Sequence, residues 1–164
     1  MEKINILIAE DEKSLQDTYD CFLSGYVFEK RFVSNGQELL EAYGEQKPEL
    51  LLLDSVMPVM TGYAALKTIR TFFGDRTTPA VILTSLSKSD DVMDFVKIGI
   101  SGYLIKPVNP LELGTQVLKY FARVNPARAV EAMELHQETF AKWREECEQR
   151  RAKPAPVDPD PLVG

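Results

Sequence analysis

The sequence has little of what builds disulfide frameworks or zinc sites. Its 164 residues contain two cysteines, Cys21 and Cys147, and a single histidine, His136. Cysteines so far apart predict two reduced thiols. No apolar run approaches the roughly 18 residues that a membrane span needs, and no signal-peptide pattern opens the chain. The formal net charge of −6 argues against binding nucleic acid through charge alone. We therefore expect a cytoplasmic protein that binds neither nucleic acid nor membrane.

The composition divides the chain into three predicted parts. Residues 1–122 alternate short apolar runs with amphipathic segments, as a globular domain does. Residues 123–152 lack glycine and have one proline near their start, which predicts a helical extension. Residues 153–164 hold four of the ten prolines, which predicts an extended or disordered tail.

Within residues 1–122, five apolar runs alternate with five predicted helices. The runs are Ile4–Ala9, Tyr26–Phe32, Leu50–Leu53, Ala80–Leu83 and Gly102–Ile105. The helical segments lie near 13–24, 36–44, 62–73, 89–99 and 110–123. Four of them are predicted to end in glycine C-caps, which are Gly25, Gly44, Gly74 and Gly99. Nearly continuous apolar strands are typical of a parallel sheet that is covered on both faces. The pattern predicts a doubly wound α/β fold.

Reactive side chains follow four of the five predicted strands. In an open parallel sheet, ligands bind beyond the carboxyl ends of the strands, so these side chains are expected at one edge. They are three carboxylates, two hydroxyls and one ammonium: Glu10, Asp11, Asp54, Thr84, Ser85 and Lys106.

Electrostatics predicts what such an edge must bind. Ionised carboxylates about 4 Å apart repel by about 4 kcal/mol per pair at an effective dielectric constant near 20. Unrelieved, the total over the three pairs, about 12 kcal/mol, would be as large as the usual stability of a small domain. Lys106 supplies one positive charge, and Mg²⁺, which prefers a few carboxylates plus water and phosphate, would supply the rest. A carboxylate beside such cations can attack a phosphoryl group, so the edge is predicted to be a phosphoryl-acceptor site.

Four sequence blocks resemble those of response-regulator receiver domains. Asp54–Gly62, with the sequence DSVMPVMTG, resembles the signature loop of that family. Ala9–Glu12, Ile82–Ser85 and Gly102–Pro107 resemble the other three blocks, in the same order. The resemblance covers about residues 3–122. It implies a flavodoxin-like five-stranded parallel sheet with the order 2-1-3-4-5 and five helices, to which this chain adds a C-terminal helix.

The resemblance also implies a phosphoacceptor and a metal site. Asp54 matches the phospho-accepting aspartate, and Asp11 matches the direct Mg²⁺ ligand. Glu10 would act through water or as an occasional ligand. Asp54 itself and the backbone carbonyl of Val56 would complete the protein ligands.

Three further positions match residues that bind or sense the phosphoryl group. Lys106 would pair with its oxygens, Thr84 would move to hydrogen-bond it, and Tyr103 would turn inward as Thr84 moves. The Lys106–Pro107 peptide bond is expected to be cis. A histidine kinase or a histidine phosphotransfer protein would donate the phosphoryl group, a downstream protein would receive the signal, and no external substrate would be turned over, so an enzyme is not expected.

Two apolar positions bear on the lifetime of the phosphoryl group, and one of them bears on an alternative function. Val56 and Leu86 stand two residues after Asp54 and Thr84, where they would flank the attacking water, and this predicts a persistent phosphoryl group. Val56 also stands where an aspartyl phosphatase of the haloacid-dehalogenase type carries a second aspartate, which argues against that enzyme class. The other alternative is a scaffold of the same fold that is never phosphorylated.

The helical extension carries a stripe of apolar and aromatic residues at alternating steps of four and three. Such a stripe fits a homodimer seam, docking onto the same chain, or a separate partner, and the sequence leaves the three alternatives open. Its members are Ala129, Met133, His136, Phe140, Trp143 and Cys147.

Overall fold

Five strands alternate with helices in the computed structural model, which describes residues 2–85 and 89–152. The strands are β1 (Ile4–Ala9), β2 (Phe28–Val33), β3 (Leu50–Asp54), β4 (Ala80–Thr84) and β5 (Gly102–Ile105). The helices are α1 (Lys13–Phe22), α2 (Gly36–Glu45), α3 (Gly62–Thr71), α4 (Ser89–Lys97), α5 (Pro110–Phe121) and α6 (Pro126–Ala152). Every strand pair is parallel, and the order β2-β1-β3-β4-β5 confirms the predicted flavodoxin-like fold.

Local signals explain most of the element boundaries. Asn109 accepts a hydrogen bond from the backbone N–H of Leu111 and Pro110 takes the first helical position, so α5 begins where the sequence predicts. Gly74 and Gly99 adopt left-handed conformations after α3 and α4. Gly44 is not a C-cap, because α2 continues through it to Glu45. Gly25 is not a C-cap either, because α1 already ends at Phe22.

The second strand begins later than the sequence predicts, at Phe28 instead of Tyr26. The backbone N–H of Val27 donates to the carbonyl of Ser24, which forms a turn ahead of the strand. Tyr26 is therefore 71% exposed. Aromatic residues favour strands, so the side chain of Tyr26 did not indicate this turn in the sequence.

The core has two parts, one on each face of the sheet. Alternate residues of β1 point to opposite faces, so Ile4, Ile6 and Ile8 join one cluster while Leu7 and Ala9 join the other. The first cluster includes residues of α1, α5 and α6, and the second includes residues of α2, α3 and α4. This double coverage explains why β3 and β4 are buried along their whole lengths.

Helix α6 docks onto its own chain, which was one of the three alternatives for its apolar stripe. Ala129 and Ala132 are buried in the same cluster as β1 and α5. The ring of His136 lies against Gly114 of α5, where a Cβ would overlap it. The buried Ala132 lies outside the predicted stripe, so the docked face is wider than a two-position seam. The predicted division of the chain at residue 122 stays a prediction.

Beyond His136, aromatic rings continue the contact between α6 and the end of α1. Phe22 packs against Phe140 and Trp143, with ring centroids 6.0 and 5.3 Å away. The hydroxyls of Ser24 and Thr139 lie 3.0 Å apart. The predicted tail, residues 153–164, lies outside the described residues. Among the helices that the structure describes, none is long and apolar enough to cross a membrane.

Acidification is expected to weaken the fold through His136. This side chain is 3% exposed, its Nδ1 has no hydrogen-bond partner among the described residues, and burial lowers its pKa. A histidine whose folded-state pKa lies below the unfolded value of about 6.5 costs stability as the pH falls below that value, because only the unfolded chain gains the proton.

Chemical denaturation of the parent and of His136→Phe between pH 7.5 and pH 5 measures this loss. Phenylalanine keeps a ring against Gly114 and cannot be protonated, while the carboxylates titrate alike in both proteins. We expect the parent to lose more stability than the variant over this pH range, because only the unfolded parent gains a proton at residue 136. Parallel pH profiles would show that His136 does not contribute.

Candidate functional site

The residues that follow the strands are held at the carboxyl edge by the backbone. The N–H of Glu10 donates to the carbonyl of Val33 at 3.0 Å. The N–H of Ser55, next to Asp54, donates to Leu83 at 2.9 Å, and the N–H of Lys106 donates to Thr84 at 2.8 Å. These bonds extend the strand pairing by one residue, so side chains far apart in sequence converge.

Three carboxylates meet at this edge. One oxygen from each of Glu10, Asp11 and Asp54 lies within 4.8 Å of the others. Glu10 and Asp54 are buried, and Asp11 is exposed. The structure therefore brings together the three acids that the sequence singled out.

Lys106 joins two of the three acids. Its Nζ donates to Oδ2 of Asp54 at 2.7 Å and to Oε2 of Glu10 at 2.8 Å, and its side chain is only 16% exposed. Burial alone would lower the pKa of Lys106, but the hydrogen bonds to Asp54 and Glu10 outweigh burial and raise that pKa above its usual value. The lysine therefore stays charged and neutralises one of three negative charges.

Glu10 has a further layer of partners that the sequence analysis missed. Burial raises the pKa of Glu10, and the bond from Lys106 partly offsets this rise. The Tyr19 hydroxyl lies 3.5 Å from Oε2 of Glu10, and burial, together with the nearby Glu10 charge, raises the pKa of Tyr19 to about 12. The amide of Gln16 donates to the Glu10 carbonyl at 2.6 Å. One sequence signal could have revealed these partners. Gln16 is a polar residue on the same helical face as Tyr19, and that face of α1 is buried.

The donor set fits a hard divalent cation. Carboxylate oxygens of Glu10, Asp11 and Asp54 converge, and one lysine leaves their charge under-compensated. Mg²⁺ binds through one or two carboxylates and keeps several waters, so a partly exposed acidic cluster suits it. The N–H of Val56 donates to Oδ1 of Asp54 at 3.1 Å, which fixes the orientation of that carboxylate.

The loop after β3 depends on Gly62 for close backbone approach. A Cβ at Gly62 would overlap the carbonyl oxygen of Asp54. The residue before it, Thr61, caps α3 by accepting the backbone N–H of Ala64 at 3.2 Å. Steric exclusion, and not a left-handed backbone, is therefore the reason for glycine here.

Val59 in the same loop has a strained backbone. Its φ is 66°, in the left-handed region, and the N–H of Met60 donates across it to the carbonyl of Pro58 at 2.7 Å. This i to i+2 arrangement around a positive φ is the rare, strained form of the γ-turn. A β-branched residue is unusual there.

Replacing Val59 with glycine is expected to stabilise the protein by up to about 1 kcal/mol. The left-handed region costs an L-residue about 1–2 kcal/mol, and the greater flexibility of glycine in the unfolded chain offsets about 0.5–1 kcal/mol of that gain. Val59 is largely exposed, so little packing is lost. Chemical denaturation measures the change. Unchanged or lower stability would show that the loop does not strain this residue.

The other residues that the sequence singled out lie on the last two strands or shortly after a strand. Thr84 is buried at the end of β4, and Tyr103 is 44% exposed on β5. The Lys106–Pro107 bond is cis, as expected. The side chain of Val56 is exposed. Leu86, the other position linked to phosphoryl lifetime, lies outside the described residues.

Comparison with known proteins identifies the family. The family model described as the response regulator receiver domain matches residues 6–118. The chain belongs to this family. The receiver domain resembles a putative response regulator from Chloroflexus aurantiacus J-10-fl, with 27% identity and a TM-score of 0.68 over 74% of this chain and all of that chain. It also resembles the chemotaxis response regulator CheY4 of Vibrio cholerae, with 26% identity and a TM-score of 0.65 over 75% of this chain and 99% of that chain.

Curated relatives of this receiver domain are longer proteins. The DNA-binding response regulator MtrA of Mycolicibacterium smegmatis is 32% identical over 112 residues, which are 68% of this chain and 48% of the relative. The probable transcriptional regulator ycf27 of Guillardia theta is 30% identical over 125 residues, which are 76% of this chain and 48% of the relative. The chain thus spans about half the length of the curated relatives it matches.

Proposed function

We propose that this response regulator receiver domain accepts a phosphoryl group on Asp54, with Mg²⁺ bound, from a histidine kinase or a histidine phosphotransfer protein. The single observation that carries the proposal is the convergence of Glu10, Asp11 and Asp54 with Lys106 bridging two of them. The site turns over no external substrate and works as a switch, not as an enzyme.

Asp54 is the side chain suited to the nucleophilic role. Its Oδ1 is oriented by the N–H of Val56 and its Oδ2 by Lys106. In the proposed step, a carboxylate oxygen of Asp54 attacks phosphorus and the new O–P bond forms as the N–P bond of the phosphohistidine breaks. The electron pair of the N–P bond stays on the ring nitrogen, and the ring leaves as neutral imidazole because its other nitrogen already carries a proton. Lys106 then pairs with the oxygens of the transferred group instead of with the free carboxylate of Asp54.

The metal ligands in this proposal are the carboxylates of Asp11, Asp54 and Glu10, the last directly or through water, and the backbone carbonyl of Val56. Bound Mg²⁺ would neutralise charge on the transferring phosphoryl oxygens. Thr84, at the end of β4, would hydrogen-bond the phosphoryl group, and Tyr103 on β5 would change orientation with it.

The proposed output is a protein–protein contact. The net charge of −6 opposes binding to nucleic acid through charge alone. Large apolar side chains are exposed on α4, β5 and the start of α5, and exposed apolar groups of this kind favour a protein partner. They are Met93, Val96, Tyr103, Ile105 and Leu111.

Incubation with acetyl phosphate and Mg²⁺, followed by intact-mass spectrometry, tests the proposal. The parent is expected to gain the mass of one phosphoryl group, and Asp54→Asn is expected to gain none, because the amide is not a nucleophile. Asp17→Asn is the matched control, since Asp17 is an exposed acid on α1 paired only with Lys13 in the salt bridges that the structure describes. It should be labelled like the parent.

Two results would contradict the proposal. If the parent gains no mass in Mg²⁺, the alternative of a scaffold that is never phosphorylated is favoured. If Asp54→Asn is labelled as fully as the parent, the phosphoryl group lies on another residue. Omission of Mg²⁺ with a chelator present should abolish labelling of the parent.

A further inference from the structure

An aromatic groove lies between α6 and the turn after α1. Its walls include Phe22 of α1, Tyr26 of the turn, and Phe140 and Trp143 of α6. The rings of Phe140 and Trp143 stack at 5.3 Å, and Phe22 meets Trp143 edge to face. The groove is a feature of the α6 contact and is separate from the acidic cluster, since it adjoins the end of α1 that is far from Glu10 and Asp11.

The size and chemistry of the groove suit a proline ring. Its volume is about 140 Å³, close to the roughly 150 Å³ of a cavity that takes a benzene ring. Aromatic-lined grooves of this kind bind proline-rich segments, because proline is already extended and loses little entropy on docking. Tyr26, on the rim, is largely exposed and leaves the groove open to an incoming chain.

The chain itself supplies a proline-rich segment within reach. Residues 153–164 read KPAPVDPDPLVG and directly follow α6. Ala152 lies nine residues beyond Trp143, which at 1.5 Å per residue is about 14 Å along the helix. A tail that folds back must span this distance and a few ångströms more to enter the groove between Thr139 and Trp143.

Chain length separates the four prolines of the tail into two pairs. An extended chain covers at most about 3.3–3.6 Å per residue. Pro156, four residues after Ala152, therefore reaches about 14 Å and stops short of the groove, as does Pro154. Pro159, seven residues after Ala152, reaches about 24 Å and can enter it, and Pro161 follows two residues later.

We propose that the segment Pro159–Pro161 of the same chain folds back along α6 and docks in the groove formed by Phe22, Tyr26, Phe140 and Trp143. Tethering helps, because a short linker gives the segment an effective concentration in the millimolar range. A contact with an intrinsic dissociation constant in the millimolar range or below is then at least about half populated. Docking covers the exposed ring of Tyr26 and the half-buried rings of the other three residues, and it holds the tail against α1.

Trp143, the single tryptophan of the sequence, reports on the groove in the uncut 164-residue chain. The test compares acrylamide quenching of its fluorescence and the indole N–H signal in ¹H–¹⁵N spectra of three proteins. They are the parent, Pro159→Ala/Pro161→Ala, and the matched control Pro154→Ala/Pro156→Ala, which removes the same number of prolines from the part of the tail that cannot reach.

We expect the first double variant to raise the quenching constant about twofold and to shift the indole signal, since a millimolar effective concentration leaves a weak tethered contact sensitive to loss of its anchors. The control should match the parent, and the parent's values should not change on dilution. Identical quenching and spectra in all three proteins would overturn the proposal. An equal effect of both double variants, or an effect that disappears on dilution because a second copy supplies the tail, would also overturn it.

Discussion

Replacing Lys106 with methionine is expected to lower the free energy of unfolding by about 3–5 kcal/mol in the absence of divalent cations, the usual cost of removing one partner from a buried ion pair. Lys106 bridges the buried carboxylates of Glu10 and Asp54 at 2.8 and 2.7 Å, and no other lysine or arginine contacts them in the salt bridges of the described residues. Urea denaturation in a chelating buffer measures the loss. Added Mg²⁺ should recover part of it, because a cation that binds only the folded state stabilises that state.

Two control variants test whether the loss of stability in Lys106→Met comes from the unpaired carboxylates. Lys13→Met removes an exposed lysine whose pair with Asp17 lies on the surface of α1, so its effect should stay below about 1 kcal/mol. Adding Glu10→Gln to Lys106→Met should restore stability, because it removes one of the two carboxylates that would otherwise face each other unpaired. A loss below about 1 kcal/mol for Lys106→Met would mean that the two acids do not depend on this lysine.

Replacing Gly62 with alanine is expected to cost about 2–3 kcal/mol of stability, because a Cβ there would overlap the backbone carbonyl of Asp54 and neither backbone can move freely. The clash falls on the residue that would carry the phosphoryl group. A displacement of about 1 Å at a reacting group can cost about 10²-fold in rate, so labelling by acetyl phosphate should slow by a similar factor.

Gly44→Ala is the matched control for that variant. Gly44 lies inside α2, is exposed, and has nothing within 4 Å of the position that a Cβ would take. Alanine there should raise stability by about 0.5–1 kcal/mol through its higher helix propensity, and labelling should be unchanged. If Gly62→Ala behaves like Gly44→Ala, the close contact with Asp54 does not constrain the loop.

The sequence alone was sufficient for the fold because its signals are local and consistent. Unbroken apolar runs such as Leu50–Leu53 require burial on both faces, and Asn109–Pro110 marks a helix start by cap chemistry. Errors arose where tertiary contacts competed with a local signal. Gly44 remained helical, and Tyr26 lay in a turn that the Ser24 carbonyl closes.

A buried polar network around Arg70 was also missed, because it depends on tertiary contacts and not on local sequence signals. Arg70 of α3 is nearly fully buried and donates to the carbonyls of Asp75, Thr78 and Gly99. Burial would raise the pKa of Asp75, but hydrogen bonds from Thr78 and Tyr43 hold that pKa well below its usual range. In sequence, Arg70 is an ordinary charge near a helix end, because its partners come from two separate loops, the one after α3 and the one after α4.

The candidate site likewise has a part that the sequence predicts and a part that it does not. That Glu10, Asp11, Asp54 and Lys106 share an edge follows from the rule that parallel strands end together, and a linear sequence contains that information. Three features were visible only in the tertiary structure. Lys106 bridges Glu10 and Asp54, and Gly62 has no room for a side chain. The ring of His136 packs α6 against Gly114. The physical reason is range. Periodicity and capping act between neighbours along the chain, whereas close packing and buried charge pairing depend on atoms that only folding brings together.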